Sequence, residues 1–286
     1  MSQNSSIVGV VGAGTMGNGI AHVFSACSKI EKVILVDLDQ SILDQAKLNI
    51  EKNLQRQVKK NIISSKIASQ SIEKIIFTND ISMIRPSNIV VEAVKEDLNI
   101  KEILFNQLDI LTSKNTILAT NTSSISIDKI ARATMKPENV IGMHFMNPVP
   151  IMKLVEIIKG EKTNNSIVKR TLDYVSLINK IPIECNDSPG FVSNRILMPM
   201  INEAAFTYME GVATVEAIDE IMKLGMGHPM GPLKLADLIG IDVCIYIMDV
   251  LHDGFKNIKY KACPLLKDMV SNKKLGVKSG QGFYKY

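Results

Sequence analysis

A glycine-rich turn near the start of the chain constrains the fold more than any other feature. The stretch VVGAGTMG follows an apolar run that predicts a strand, opens a helical pattern, and places Gly12, Gly14 and Gly17 in the spacing GxGxxG. In dinucleotide-binding βαβ units these glycines allow a tight turn, close approach of the pyrophosphate and close helix–strand packing. The predicted cofactor contacts are the residues of the turn: Gly12, Ala13, Gly14, Thr15, Met16 and Gly17.

A second predicted strand, KVILVD, ends at Asp37, 20 residues after Gly17. A carboxylate at this place can accept from both ribose hydroxyls and repel the 2′-phosphate of NADP. The alternative role of Asp37 is to cap the helix that follows. Because no arginine lies near Asp37 to bind a phosphate, the predicted cofactor is NAD, with NADP as the alternative.

Eight short apolar runs predict strands, and helical patterns such as 41–61, 97–112 and 164–179 lie between them. The runs are SIVGVVG, KVILVDL, IIFTND, SNIVVEAV, NTILATN, NVIGMHF, KLVEIIK and KIPIECN. Their alternation with helices predicts an α/β fold with a Rossmann-like, mostly parallel sheet that helices cover on both faces.

After NDSPG at 186–190 the strand-like runs stop, and an all-helical C-terminal domain is predicted. Pro189 and Gly190 punctuate the chain, and Asp187 or Ser188 can cap the next helix. We therefore expect one domain over 1–187 and a second over 188–286. The helices predicted for the second are 191–210, 214–224, about 232–253 and 262–274.

Composition argues against several classes of protein. The chain has 286 residues and a formal net charge of only +4, spread along its length, which argues against nucleic-acid binding. It contains no run of 18 apolar residues, so we expect no membrane span. The segment MSQNSS before the first strand is too short and too polar for a signal or transit peptide, so we expect a cytoplasmic protein. The four cysteines form no CxxC and the four histidines no HxxxH or HExxH, which predicts reduced thiols and no metal site.

Polar side chains follow the predicted fourth and fifth strands. Glu96 and Lys101 come after VVEAV, and Asn121 and Ser123 come after ILAT. Because ligands bind at the carboxyl ends of the strands in an open parallel sheet, we expect these four residues near the nicotinamide half of the cofactor. The alternative for NTSS is a helix N-cap.

Two titratable groups interrupt apolar runs on either side of NPVP. His144 lies in NVIGMHF and Glu156 in KLVEIIK, and the side chains can meet if the two strands run antiparallel. One interpretation is an acid–base pair, since histidine titrates near neutral pH and a carboxylate behind it fixes the tautomer. The other is a histidine bonded to backbone and a glutamate at a strand edge.

Six segments of the sequence resemble a known family. They are VGAGTMG, VVEAVKE, NTSSISI, GMHFMNPVPIMKLVEII, DSPGFVSNRIL and GHPMGPLKLAD. In this order they resemble the short-chain (S)-3-hydroxyacyl-CoA dehydrogenases, most closely the bacterial enzymes that act on 3-hydroxybutyryl-CoA, over essentially the whole chain. The resemblance implies an NAD-dependent oxidoreductase that interconverts (S)-3-hydroxyacyl-CoA, in particular 3-hydroxybutanoyl-CoA, and 3-oxoacyl-CoA.

The resemblance also implies roles for single residues. His144 matches the family's general base and Glu156 the carboxylate that orients it. Ser123 and Asn194 match the side chains that hold the substrate's oxygens. The implied cofactor contacts are Asp37, Glu96, Lys101, Ser123, Asn147 and Lys278.

In this family the region at about 41–68 is a helical arm over the substrate. The resemblance implies that Asn53, Arg56 and Lys60, together with Ser123, contact coenzyme A. Arg56 and Lys60 lie four apart, on one helical face, so a solvated basic face is the alternative. The resemblance also implies a homodimer, or a higher homo-oligomer, formed through the C-terminal domain.

Two other interpretations share the fold. A β-hydroxyacid dehydrogenase acting on free acids would need a basic group to bind a carboxylate in place of the histidine–glutamate pair. A non-catalytic dinucleotide-binding protein would have no need of a catalytic set, whereas His144, Glu156, Ser123 and Asn194 are all present.

Overall fold

The computed structural model describes residues 6–286. The prediction that MSQNSS is too short and too polar for a signal or transit peptide falls mainly on residues 1–5, which lie outside the described residues. The chain divides into two units, Met1–Asp187 and Ser188–Tyr286. Each unit contains an apolar core of its own.

The strands of the first unit form one sheet. Among the described residues they are β1 (Ser6–Val11), β2 (Ile30–Val36), β3 (Ile75–Thr78), β4 (Ile89–Glu92), β5 (Ile117–Thr120), β6 (Val140–Phe145), β7 (Leu154–Lys159) and β8 (Ile181–Asn186). The order across the sheet is β3-β2-β1-β4-β5-β6-β7-β8, and every neighbouring pair is parallel except β6–β7. The predicted Rossmann-like, mostly parallel sheet is confirmed, and each of the eight apolar runs supplies one strand.

The continuous apolar character of the runs follows from their place in the sheet. Every residue of β4, β5 and β6 is buried, because helices cover both faces of a parallel sheet. The edge strand β8 is exposed at most positions. The sheet core therefore lies under its central strands, whose carboxyl ends carry the predicted site residues.

Helices of the first unit connect these strands. They are α1 (Thr15–Ser25), α2 (Gln40–Lys59), α3 (Ser65–Glu73), α4 (Leu98–Leu111), α5 (Ile127–Ala131) and α6 (Asn165–Leu177). Side-chain caps begin several of them: Asp39 accepts from Ser41 N at α2, and Asp97 accepts from Ile100 N at α4. The region of the predicted helical arm, at about 41–68, contains two helices, since α2 ends at Lys59 and α3 begins at Ser65.

Helices form the second unit. They are α7 (Ser193–Met209), α8 (Val215–Met226), α9 (Pro232–Ile239), α10 (Ile241–Phe255) and α11 (Pro264–Ser271). The prediction of one helix over 232–253 is wrong. Gly240 adopts a φ of +105°, outside the helical region and open mainly to glycine, and it separates α9 from α10.

The prediction that Asp187 or Ser188 caps the first helix of the second unit is also wrong. Helix α7 begins only at Ser193, and its N-terminus has no side-chain cap. The carboxylate of Asp187 instead accepts from Ser126 Oγ at 2.7 Å and from Asp128 N at 3.0 Å. Asp187 thus binds the start of α5 and not the start of α7.

Over residues 6–286, no helix combines the length and the apolar character that a membrane span requires. The same residues contain no group of three or more His, Cys, Asp or Glu side chains that could hold a metal ion. All four cysteines are free.

A histidine is buried in α1. His22 is 1% exposed, and neither ring nitrogen has a hydrogen-bond partner in good geometry among the described residues. Burial, and to a smaller extent the charge of Lys180, lower the pKa of His22 to about 4, although the nearby Gln57 side chain opposes the shift. His22 is therefore neutral in the folded protein at neutral pH.

Acidification should destabilise the protein through His22. The unfolded histidine binds its proton near pH 6.5 and the folded one only near pH 4, so the free energy of unfolding falls as the pH is lowered through this window. A difference of this size corresponds to roughly 3 kcal/mol. In denaturant unfolding between neutral pH and about pH 4, His22→Gln should lose less stability than the wild type.

The half-exposed His252 provides the matched control for this prediction. His252→Gln should follow the wild-type dependence of stability on pH. If the free energy of unfolding depended on pH in the same way in wild type and His22→Gln, His22 would bind its proton equally in the folded and unfolded states.

Candidate active site

The turn between β1 and α1 has the geometry that a dinucleotide site requires. Gly12 has a φ of +97°, and a Cβ on Gly17 would lie 1.7 Å from the Gly12 carbonyl oxygen. Both positions therefore exclude a side chain. A Cβ on Gly14 would meet no atom within 4 Å, so this glycine borders open space.

That open space is part of a mainly apolar cavity of about 550 Å³. Its wall contains Gly12 and Gly14 of the turn, Asp37 at the end of β2, and apolar side chains of α2 and α4 such as Ile42 and Ile103. An apolar wall suits a planar adenine, and the nearby N-terminus of α1 suits a pyrophosphate. The residues present therefore fit NAD.

Asp37 contacts the glycine-rich turn and does not cap α2, since Asp39 does so. Its Oδ2 accepts from Ala13 N at 2.7 Å, and its Oδ1 accepts from Asp39 N at 3.1 Å. None of the described residues that line the cavity is an arginine. The carboxylate is thus fixed on the cavity wall, and the positively charged residue in the cavity lining is Lys95.

A buried charge cluster lies at the end of β4. Lys101 is 1% exposed, and its Nζ lies 2.5 Å from Glu92 Oε1 and 3.3 Å from Glu96 Oε2. Burial raises the pKa of Glu92, against the opposing charge of Lys101. Burial acts in the same direction on Glu96, but the Lys101 charge and several hydrogen bonds outweigh it, so the pKa of Glu96 lies below its ordinary value. The structure thus makes Lys101 the counter-ion of two carboxylates, and its cofactor contact stays a prediction.

Glu96 organises the turn after β5. Its Oε1 accepts from Thr122 Oγ1 at 2.5 Å, from Ser123 N at 3.0 Å and from Ser124 N at 3.2 Å. The N-cap of α5 is Ser126, so neither Ser123 nor Ser124 serves that alternative role. The backbone of Ser123 is consequently fixed at the carboxyl end of β5.

His144 and Glu156 face each other across the antiparallel β6–β7 pair. They are direct partners in the register, which places their side chains on the same face. Nδ1 of the imidazole lies 2.8 Å from Oε2 of the carboxylate, and both residues are buried. A carboxylate that accepts the Nδ1 proton directs proton transfer to the other ring nitrogen, Nε2.

Asn121 connects β4, β5 and β6 at the same edge of the sheet. Its Oδ1 accepts from Phe145 N at 2.9 Å, next to His144, and its own N–H donates to Glu92 O at 2.8 Å. These bonds hold the end of β6 beside the turn that carries Ser123. The nicotinamide contact expected of Asn121 stays a prediction.

A polar groove of about 260 Å³ lies between α1, α2 and the loop after β6. Asn53 and Arg56 line it, and so does Lys52, which sequence reasoning missed. The loop contributes Asn147. Lys60 lies at the C-terminal end of α2, is exposed, and is not among the lining residues.

Two predicted site residues belong to the second unit. Asn194 is buried in the first turn of α7. Lys278 forms an ion pair with Asp242, with Nζ 2.5 Å from Oδ1. Their contacts with substrate and cofactor stay predictions.

Glu92 is the main site residue that sequence reasoning missed. It is fully buried, and its Oε2 accepts from Thr120 Oγ1 at 2.6 Å. The available signal was a carboxylate closing an apolar strand, with a lysine nine residues later. That spacing does not by itself show that a strand end and a helix bring the two groups together.

Two family models match almost the whole chain. The model described as "3-hydroxyacyl-CoA dehydrogenase, NAD binding domain" matches residues 7–188, and "3-hydroxyacyl-CoA dehydrogenase, C-terminal domain" matches 190–286. A probable 3-hydroxybutyryl-CoA dehydrogenase of Deinococcus radiodurans is 50% identical over 278 residues, which cover 97% of this chain and 99% of the relative. The 3-hydroxybutyryl-CoA dehydrogenase of Clostridioides difficile is 46% identical over 277 residues, 97% of this chain and 98% of the relative. The solved (S)-3-hydroxybutyryl-CoA dehydrogenase from Ralstonia eutropha has a TM-score of 0.94 at 40% identity, covering 99% of both chains.

Replacing Asp37 with serine should shift cofactor preference towards NADPH. The repulsion of a 2′-phosphate disappears, while the hydroxyl can still accept from Ala13 N. Fluorescence titration should show weaker NADH binding and an affinity ratio of NADPH to NADH that rises roughly fivefold or more, the equivalent of about 1 kcal/mol for a like-charge contact near water.

Asp39→Ser provides the control, because it alters the cap of α2 two residues away. Because serine is about as good an N-cap as aspartate, this variant removes the same charge, should change stability little and should leave the affinity ratio unchanged. A ratio that moves equally in both variants would show that Asp37 does not face the ribose.

Proposed function

This chain belongs to the 3-hydroxyacyl-CoA dehydrogenase family, and on that premise we propose that it acts on short-chain substrates, converting (S)-3-hydroxybutanoyl-CoA and acetoacetyl-CoA into each other. It is an NAD-dependent oxidoreductase that interconverts 3-hydroxyacyl-CoA and 3-oxoacyl-CoA. The relatives named 3-hydroxybutyryl-CoA dehydrogenases support the short acyl chain. The observation that carries the residue assignment is the buried 2.8 Å contact between His144 and Glu156.

His144 is the proposed general base and acid. In oxidation its Nε2 takes the proton of the C3 hydroxyl, and in reduction it returns a proton to the C3 oxygen. NAD, which the turn at 12–17 and Asp37 would hold, would supply the hydride acceptor for oxidation and, in its reduced form, the hydride donor for reduction. Glu156 accepts the Nδ1 proton and stabilises the imidazolium that forms.

The other predicted residues bind and orient the reactants. Ser123 and Asn194 are proposed to hold the substrate's oxygens, and the fixed backbone of Ser123 supports a constant geometry. The proposed NAD contacts are the turn at 12–17 and Asp37, Glu96, Lys101, Asn121, Ser123, Asn147 and Lys278. The fixed carboxylate of Asp37 supports NAD over NADP.

The groove between α1 and α2 is the proposed site for the nucleotide end of coenzyme A. Lys52 and Arg56 supply positive charge for its phosphates, and Asn53 supplies an amide. The exposed Lys60 extends the basic face beyond the groove. Binding at this end leaves the reacting carbon free to reach His144.

The second unit is the proposed interface of a homodimer or higher homo-oligomer. Large apolar side chains are exposed on it, among them Val212, Leu224 and Met226. Their exposure supports association, because burial of these side chains in an interface would remove apolar surface from water. We place the enzyme in the cytoplasm, with no nucleic-acid or membrane partner.

The proposed base can be tested directly. Wild-type protein should oxidise NADH with acetoacetyl-CoA, and His144→Gln should lower kcat by about two to four orders of magnitude, the usual contribution of general acid–base catalysis. NADH affinity, measured by fluorescence, should change little. Near wild-type turnover in His144→Gln, with a deuterium isotope effect showing that hydride transfer limits the rate, would contradict the assignment.

A comparison of Glu156 with the nearby Glu184 distinguishes a specific effect on His144 from a general loss of negative charge. Glu156→Gln should also lower kcat, because the imidazolium loses its counter-charge. Glu184→Gln, on the exposed edge strand β8, should leave kcat unchanged. Equal losses in the two variants would assign the effect of Glu156 to the charge of the sheet as a whole.

Removing positive charge from the groove should raise KM for acetoacetyl-CoA and leave kcat nearly intact. Contacts remote from the reacting carbon act as uniform binding, which the double variant Lys52→Ala, Arg56→Ala removes. The effect should shrink at high salt, because exposed charges are screened over about 8–10 Å at moderate ionic strength. It should vanish with acetoacetyl-pantetheine, which lacks the phosphates.

Two single variants on α2 provide the comparison. Lys60→Ala should raise KM less than Arg56→Ala, because Lys60 lies outside the groove. Lys47→Ala, at an exposed residue of the same helix, should have no effect. If the double variant raised KM equally for acetoacetyl-pantetheine and for acetoacetyl-CoA, the groove would not bind the phosphates.

A further inference from the structure

One lysine outside the predicted site holds the loop that connects the two catalytic strands. This β6–β7 loop comprises residues 146–153 and follows His144 closely. Lys180 lies directly before β8, is 8% exposed, and donates from Nζ to Val149 O at 2.5 Å and to Met152 O at 2.6 Å. We propose that Lys180 is a positioning residue, which holds the β6–β7 loop and its Asn147 against α1 for cofactor binding and hydride transfer. This proposal rests on the proposed function.

The β6–β7 loop is held by contacts of two kinds. Lys180 binds its backbone carbonyls, and Val149 packs its buried side chain on α1. The packing is close, because a Cβ added to Gly19 of α1 would lie 2.8 Å from Val149 Cβ. Within the loop, Ile151 N and Met152 N donate to Pro148 O at 3.0 Å. A change at Lys180 or at Gly19 would therefore displace the same segment.

The position of the loop decides what such a displacement would alter. Asn147 and Val149 line the polar groove together with Thr15 and Asn18, which lie in the first turn of α1 directly after the glycine-rich turn. The register of β6 and β7 is fixed separately by their own ladder of hydrogen bonds. Loosening the loop should therefore disturb the proposed cofactor contact of Asn147 and the hydride geometry, together with the groove proposed for coenzyme A, and leave His144 opposite Glu156.

The charge of Lys180 is compensated by backbone carbonyl dipoles and not by a counter-ion. Among the described residues it forms no salt bridge, and burial lowers its pKa. A buried ammonium without a carboxylate is costly unless dipoles compensate it, and two carbonyl oxygens do so here. The nearby His22 is neutral and adds no second positive charge. An apolar residue at position 180 would remove the donor for both carbonyls.

The test compares Lys180→Met with a matched lysine in the same unit. Lys74 Nζ donates to the backbone carbonyl of Cys27 at 2.8 Å, so Lys74→Met removes a bond of the same kind. Both residues lie far from the loop in sequence. Per folded molecule, Lys180→Met should lower kcat with acetoacetyl-CoA tenfold or more and weaken NADH binding. Lys180→Arg should recover part of both. Lys74→Met should lower Tm and leave kcat and NADH affinity unchanged.

A double-mutant cycle identifies the route of the effect. If Lys180 acts through the loop, the losses in kcat/KM for NADH caused by Lys180→Met and by Asn147→Ala should combine to less than their product. Multiplicative losses, or wild-type kinetics per folded molecule in Lys180→Met, would overturn the proposal.

Gly19→Ala perturbs the same loop through α1 and leaves Lys180 intact, so it provides a second test if Lys180→Met does not fold. The added Cβ displaces Val149, so this variant should show the same combination of lower kcat and weaker NADH binding, and wild-type kinetics would count against the loop. The proposed function fails separately, if wild-type protein does not turn over acetoacetyl-CoA. In that case NADH affinity alone still decides the role of Lys180.

Discussion

The antiparallel pairing of β6 with β7 is the constraint on which the proposed chemistry depends. Every other neighbouring pair in the described sheet is parallel, and this reversal brings two strands that are close in sequence side by side. The register places His144 opposite Glu156, and a slip of one residue would send one of them to the other face. The 2.8 Å contact between imidazole and carboxylate is therefore a property of the sheet, as well as of two side chains.

Carboxylates at the carboxyl edge of the sheet also hold the backbone around them. Asp37 accepts from Ala13 N, Glu92 from Val94 N, and Glu96 from Ser123 N. A charged acceptor makes a stronger bond to a backbone N–H than a neutral one does, so these turns are held firmly. Asp37 and Glu96, which the sequence suggests as ligand contacts, thus serve first to fix the walls of the crevice, as does Glu92, which the sequence does not suggest.

The loop after β6 follows the same principle with the opposite charge. There a buried ammonium holds two carbonyl oxygens, and the side chain of Val149 packs on α1. Polar groups buried in this way are costly if they lose a partner, so each fixed turn has few alternative arrangements. Precise placement of a reactive group relies on such supporting contacts.

The sequence by itself determined the sheet and the dinucleotide turn, and it singled out His144 and Glu156 as the predicted catalytic pair. Strand and helix periodicity are local signals, and glycines that permit a tight turn or a close approach are readable from their spacing. Only the tertiary structure decided that Lys101 lies buried between Glu92 and Glu96, that Lys52 and not Lys60 lines the groove, and that Gly240 interrupts a helix. It also decided that Lys180 reaches the β6–β7 loop. The partner of a buried polar group is set by which distant segments approach each other, and that approach leaves no mark in the periodicity of either segment.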